Sequence, residues 1–321
     1  MSFYKGLLIH PEELSNDWIK WAVDAKLDMI GLHPVGGEEA CSSLDNLLQL
    51  LKSKEFLDNL NHLKKSGIQV EYCLHALSWL LPRKLFEQHP EWFRVNEEGQ
   101  RSPDKNFCPS NPEAMAFLEQ QSHKLGELLY TDNHRYHFWA DDVASGRCCC
   151  PECLNYSPSD NQMRVLNVIL KGIRHADPKA KLSYLAYYDT LEPPERVAPD
   201  DGIFLEFAPM DRDYHRPLAD GLIEKNKKQY QMIAKLLDFF GKGDATALDY
   251  WMDNSLFSGW KKPPALFNLD VPVLCADAAM YAGFGFEYIT SFACYLGPDY
   301  VETHNVMPPI KDFAECFDKI K

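Results

Sequence analysis

Two adjacent aspartates, Asp141 and Asp142, end the apolar run Arg135–Ala140 (RYHFWA). Two carboxylates this close cannot both ionise cheaply, so one is expected to keep its proton to higher pH. Such a carboxyl can protonate a leaving oxygen, as glycosidic cleavage requires of one member of its acid pair. The competing reading is a pair of loop or helix-capping aspartates, each content with a backbone N–H. Cys148, Cys150 and Cys153 follow in the spacing C-x-C-x-x-C, with Cys149 among them. A C-x-x-C turn offers two thiolates to zinc, tetrahedral zinc wants four ligands, and Cys108 is the candidate for the fourth. The pattern admits a structural zinc, a disulfide or buried free thiols. A closed thiolate set leaves no position for water, so this zinc would be structural and no cofactor is expected in catalysis.

These residues need a scaffold, and the chain supplies a regular one. Strand-like runs at 4–9, 28–32, 68–74, 135–140, 182–187, 203–207, 245–251 and 286–292 alternate with helical segments at 16–26, 42–66, 112–129, 159–176, 222–240, 273–282 and 310–321. Ser15 or Asn16 caps the first helix, and Gly67 and Gly241 suit helix ends. Eight strands, each followed by a helix or a long connection, predict a single (β/α)8 barrel domain spanning 1–321. A doubly wound sheet would need a phosphate-binding glycine pattern, and the sequence contains no G-x-G-x-x-G or Walker motif.

Barrel chemistry gathers where strands end at their C-termini. Those positions hold His10, His33, His75, Trp139 with Asp141 and Asp142, Tyr187 with Tyr188 and Asp189, Glu206 with Arg212 beyond it, Asp249 to Trp251 with Asp253, and Tyr295. Aromatic faces stack on sugar rings and carboxylates bind hydroxyls, so His10, His33, His75, Trp139, Tyr187, Tyr188, Glu206, Arg212, Asp249, Tyr250, Trp251 and Tyr295 are the candidate substrate-binding set. Taken singly, an aromatic at a strand end is as readily core, and a histidine there as readily structural.

A net charge of −14 over 321 residues repels phosphate backbones and anionic membrane surfaces, so neither nucleic acid nor membrane is an expected partner. The charge places no restriction on a neutral sugar. The opening MSFYKGLLIHPEELSNDW has an apolar run of about four residues, too short for a signal-peptide core. The expectation is a soluble, cytoplasmic protein. A homo-oligomer is the other partner the sequence admits.

Several stretches look familiar together: HALSWLLPRKLFEQHPEWF (75–93), EEGQR (97–101), NFCPSNPE (106–113), CCCPEC (148–153), LSYLAYYDTLEPPERV (182–197) and FAPMDRDYHRPL (207–218). They resemble a family of glycoside-hydrolase-like barrels described as a domain of unknown function, itself similar to α-glucuronidases and β-hexosaminidases. The resemblance implies a barrel and glycosidase-type chemistry. FWADDV (138–143) resembles the strand-four end of O-GlcNAcases and β-N-acetylhexosaminidases. By that resemblance Asp141 would orient the substrate's 2-acetamido group, which attacks the anomeric carbon, and Asp142 would be the general acid/base. Tyr187, Tyr250 or Trp251 would line the acetamide pocket. An α-glucuronidase-like alternative pairs Asp142 with Asp249 or Asp253 and takes Arg212 as the cation for the uronate. A non-catalytic carbohydrate-binding barrel is the third reading.

Overall fold

The computed structural model describes residues 3–320. Eight parallel strands close into a barrel: β1 (Tyr4–Ile9), β2 (Met29–Leu32), β3 (Gln69–His75), β4 (Arg135–Trp139), β5 (Lys181–Ala186), β6 (Ile203–Phe207), β7 (Thr246–Asp249) and β8 (Tyr288–Phe292). Each strand neighbours those adjacent in sequence, and β8 closes on β1 with Tyr4 opposite Tyr288 and Leu8 opposite Phe292. This is the predicted (β/α)8 barrel. Parallel strands covered on both faces read as unbroken apolar runs, and β2, β4, β6, β7 and β8 are buried along their whole length.

The chain divides into two compact units. One comprises the stretches up to His33, Gln49–Glu71 and from Leu205 onward, and the other Pro34–Leu48 and Tyr72–Phe204. In the first, helix Asn16–Asp24 is capped by the Ser15 hydroxyl, which accepts the Trp18 N–H at 3.3 Å. Helix Val271–Phe284 starts on the Asp270 carboxylate and is joined to helix Ile310–Asp318 by the Cys275–Cys316 disulfide. The sequence separation of 41 residues had not signalled this pair.

In the second unit, helix Pro112–Leu128 starts on Asn111 and helix Pro158–Ile173 on a Ser157–Asp160 capping box, each with proline in its first turn. The two helices pack so closely at Gly172 that a Cβ there would stand 2.3 Å from the Glu119 carbonyl oxygen.

Departures from expectation are local. The stretch 42–66 forms two helices, Ala40–Leu50 and Lys54–Lys65. Ser53 adopts an extended conformation (ψ 130°) that ends one helix and opens the next. The strand expected to run to Trp251 stops at Asp249, and the one expected to include Tyr187 stops at Ala186. The last helix was expected to reach Lys321, which lies outside the described residues. No described helix is long and apolar enough to cross a membrane.

Candidate active site

β4 delivers Asp141 and Asp142 to the turn that follows Trp139, and both side chains are half-buried. The two carboxylates are held separately. Asp141 Oδ2 is ion-paired with Arg83 and accepts the Asn106 N–H at 2.6 Å. The Asp141 N–H donates in return to Asn106 Oδ1 at 3.0 Å. Asn106 is itself clamped: its carbonyl accepts Arg83 Nη1 at 2.7 Å, and its side-chain amide donates to the Gly146 carbonyl at 3.1 Å. Its backbone sits at φ 37°, a left-handed conformation that asparagine tolerates better than most residues. Asp142 Oδ1 accepts the Tyr187 hydroxyl at 2.9 Å. Among the described residues no donor reaches Asp141 Oδ1 or Asp142 Oδ2 within hydrogen-bond distance. Each carboxylate therefore commits one oxygen to a hydrogen bond within the protein.

Around this pair, His75 Nδ1 bonds the Ala140 carbonyl at 2.6 Å, which makes Nδ1 the protonated nitrogen and turns Nε2 outward from that bond. Gly36 packs on both groups. A Cβ at that position would lie 3.0 Å from His75 Cδ2 and 3.2 Å from Asp142 Oδ2, so only glycine leaves them undisturbed. A cavity beside the pair is bordered by His75, Asn106, Asp141 and Tyr187 on its polar side and by Leu166 and Ile169 on its apolar side. Tyr188 is 41% exposed, packs against Tyr187 with ring centres 4.2 Å apart and the rings tilted by 53°, and has φ 43°. A bulky residue held left-handed is a strained one, and such strain concentrates at functional sites. Trp139 is buried with its indole N–H on the Ser183 hydroxyl, and meets His75 edge-on. It is a wall behind His75, with no face left for a sugar ring.

The first unit collects the remaining candidates. His10 and His33 stack with ring centres 5.9 Å apart, and His10 Nδ1 bonds the His33 carbonyl at 2.7 Å. Burial lowers the pKa of His10 and favours the neutral ring, against the hydrogen bond to the His33 carbonyl, which favours the charged one. Tyr295, at φ 63°, lies 5.7 Å from the His10 ring. Tyr250 is buried and stacks on Phe292. Glu206 is buried on β6, opposite Thr246 of β7.

Three expected roles change here. Arg212 cannot serve as a free cation: its side chain is fully buried and bridges Asp249 and Asp277, each at 2.7 Å. Asp249 also accepts the Tyr281 hydroxyl and the Tyr250 N–H, and Trp251 gives its indole N–H to Asp277. Asp253 caps the short helix Asn254–Phe257 through Oδ1. Asp249 and Asp253 are both buried, unlike the half-buried Asp141 and Asp142, and so are poorly placed to meet a substrate as nucleophiles. The sequence could not pair charges at 212, 249 and 277, because nothing in their spacing marks them as neighbours.

Glu13 was not singled out by sequence. Its buried carboxyl accepts the His10 N–H at 3.0 Å and the Gly297 N–H at 3.2 Å, tying the chain after β1 to the chain after β8. Burial pushes its pKa up from 4.5 to about 8, against the His10 hydrogen bond. Between those values the folded state holds a proton that the unfolded chain has released. Stability therefore falls as pH rises through that window, by up to about 5 kcal/mol. Glu13→Gln is expected to flatten the urea midpoint between about pH 5 and about pH 8; a slope equal to wild type would contradict this.

Cys108, Cys148, Cys150 and Cys153 are all buried and unpaired by disulfides, and their sulfurs lie within 4.8 Å of one another. This group could hold a metal ion.

A family model described as a domain of unknown function (DUF4838) matches residues 50–240, more than half of the chain. No curated protein matches the sequence. Among solved structures, the chain superposes on an O-GlcNAc hydrolase of Thermobaculum terrenum with TM-score 0.57 at 12% identity, covering 99% of this chain and 59% of that one. A GH20 catalytic module of the pneumococcal exo-β-D-N-acetylglucosaminidase gives 0.56 at 10%, covering 99% and 86%. A β-galactosidase from the psychrophilic Marinomonas ef1 gives 0.50 at 13%, and there the chain spans about half, 54%, of the larger protein. At these identities the likeness is one of fold.

Proposed function

The chain belongs to the DUF4838 family, whose function is unknown, and from its site we propose that it is a glycoside hydrolase using the acetamido group of an N-acetylhexosaminide as nucleophile. The observation that carries this is the pair of adjacent acids at the end of β4, each anchored through one oxygen. Asp141 has its charge balanced by Arg83 and its orientation fixed by Asn106. In this reading its Oδ1 accepts the acetamide N–H, which makes the acetamide oxygen a better nucleophile. Asp142 has Oδ1 held by Tyr187, which leaves its proton to Oδ2 and to the leaving oxygen. Once the leaving group departs, the same oxygen takes a proton from water as the ring intermediate opens. Substrate assistance needs no second nucleophilic carboxylate, consistent with Asp249 and Asp253 being engaged elsewhere. Tyr188 supplies an exposed aromatic face for sugar. Two structures of similar fold are named for cleavage of N-acetylglucosamine linkages, which agrees with this reading. The uronate alternative loses its cation with Arg212. The four cysteines, in this reading, hold a structural metal that takes no part in the chemistry.

The mechanism is tested by fluorinating the acetamide methyl of a chromogenic β-N-acetylglucosaminide. Each fluorine weakens the acetamide oxygen as a nucleophile, so kcat/KM is expected to fall steeply and progressively. A flat series would move the nucleophile to a protein carboxylate.

A further inference from the structure

We infer that Cys108, Cys148, Cys150 and Cys153 bind one zinc ion, and that this zinc fixes the loop pair carrying the Asn106–Asp141 clamp. Four sulfurs around zinc at about 2.3 Å stand about 3.8 Å apart along the edges of a tetrahedron. Cys108 Sγ lies 3.7 Å from Cys150 Sγ and 3.9 Å from Cys153 Sγ. These separations suit a shared ion and are far beyond the roughly 2.05 Å of a disulfide. Chemistry points the same way: four thiols converge on one buried point, with no nitrogen or oxygen ligand among them.

The surroundings are those of thiolates. The Val95 N–H donates to Cys148 Sγ at 3.3 Å, and the Cys153 N–H points to Cys150 Sγ at 3.5 Å. The Ser110 hydroxyl lies 3.1 Å from Cys153 Sγ. Arg101, whose guanidinium also donates to the Phe93 carbonyl at 2.6 Å, brings positive charge toward a site that would carry two excess negative charges when zinc is bound. Val95 and Arg101 face each other across a two-stranded ribbon, which is held against the cysteine loop by the Cys149 N–H on the Val95 carbonyl at 2.7 Å. Such outer partners orient metal ligands and are part of a metal site's affinity.

The link to the acids is short. Cys108 lies two residues beyond Asn106, and Cys148 two beyond Gly146, whose carbonyl receives the Asn106 amide. Zinc would cross-link these two segments directly beneath the contacts that hold Asp141. This second half rests on the proposed function; the metal site does not.

The test uses the full chain, purified reduced and without chelator. Metal analysis is expected to give about one zinc per chain, released by a mercurial that titrates the thiols. Cobalt exchanged into the site should show the intense sulfur-to-metal absorption of a tetrathiolate. Cys153→Ser should lose the metal and melt at lower temperature, whereas Cys149→Ser, on the same loop but outside the set, should keep both. If Cys153→Ser does not fold, the wild-type cobalt spectrum decides alone. Protein free of zinc that shows no cobalt absorption, or disulfides among the four, would overturn the site. Zinc present, with unchanged glycoside turnover after its removal, would overturn only the link to Asp141. A protein that binds zinc but cleaves no glycoside would keep the site and refute the proposed function.

Discussion

Asp142→Asn is expected to lower kcat/KM toward a glycoside with a poor leaving group by about 10²–10⁴-fold, the usual contribution of a positioned general acid. The asparagine keeps the shape and can still accept the Tyr187 hydroxyl, so folding should be unaffected. It cannot give a proton to the leaving oxygen. The deficit should therefore shrink for a substrate whose leaving phenol is acidic enough to depart unaided. That dependence separates a lost acid from a distorted site, which would slow all substrates alike. Asp141→Asn should behave differently. It weakens the pairing with Arg83 and the alignment of the acetamide, and an acidic leaving group should not rescue it.

Arg212→Met is expected to destabilise the protein by about 3–5 kcal/mol, among the largest single-residue costs the fold can show. The side chains of Arg212, Asp249 and Asp277 are each fully buried. Removing the guanidinium leaves two carboxylates facing one another with no cation. Burial already pushes the pKa of Asp277 up to about 6, and Arg212 opposes that push. Methionine fills much of the volume, so the loss measures charge rather than a cavity. Adding Asp277→Asn should recover part of it, because a neutral amide needs no countercharge. A urea midpoint close to wild type in Arg212→Met would show that the bridge contributes little. The same experiment bears on function, since an arginine needed inside the fold cannot also be the cation of a uronate site.

The barrel was legible because its determinants are local. Each strand is a short apolar run, several helices carry a capping residue or a glycine stop, and the rhythm of strand and connection repeats eight times. Asp141 and Asp142 were legible because adjacency and position at a strand end are sequence properties. The cysteine set was legible in part: C-x-C-x-x-C is a spacing, and Cys108 could be added because neighbouring barrel strands bring their loops together. Arg83 and Asn106 were not found, since their role exists only once the chain after β3 folds back on the turn after β4. Glu13 was hidden for the same reason, looking in sequence like one more acid in a turn. Trp139 and Tyr250 were read as sugar platforms because the sequence names the residue type but not which way the ring turns. Arg212 and Asp249 were assigned outward roles because a charged residue is exposed by default, and only the fold reveals that they satisfy each other.

The central claim is that the Asp141–Asp142 turn is a glycosidase site selective for a 2-acetamido sugar. It is tested most directly by comparing a β-N-acetylglucosaminide with the β-glucoside that has the same leaving group, for wild type and Asp142→Asn. The account predicts wild-type turnover of the acetamido substrate alone, and a loss of that turnover in the variant. Equal turnover of both sugars, or turnover that survives Asp142→Asn with a poor leaving group, would contradict it.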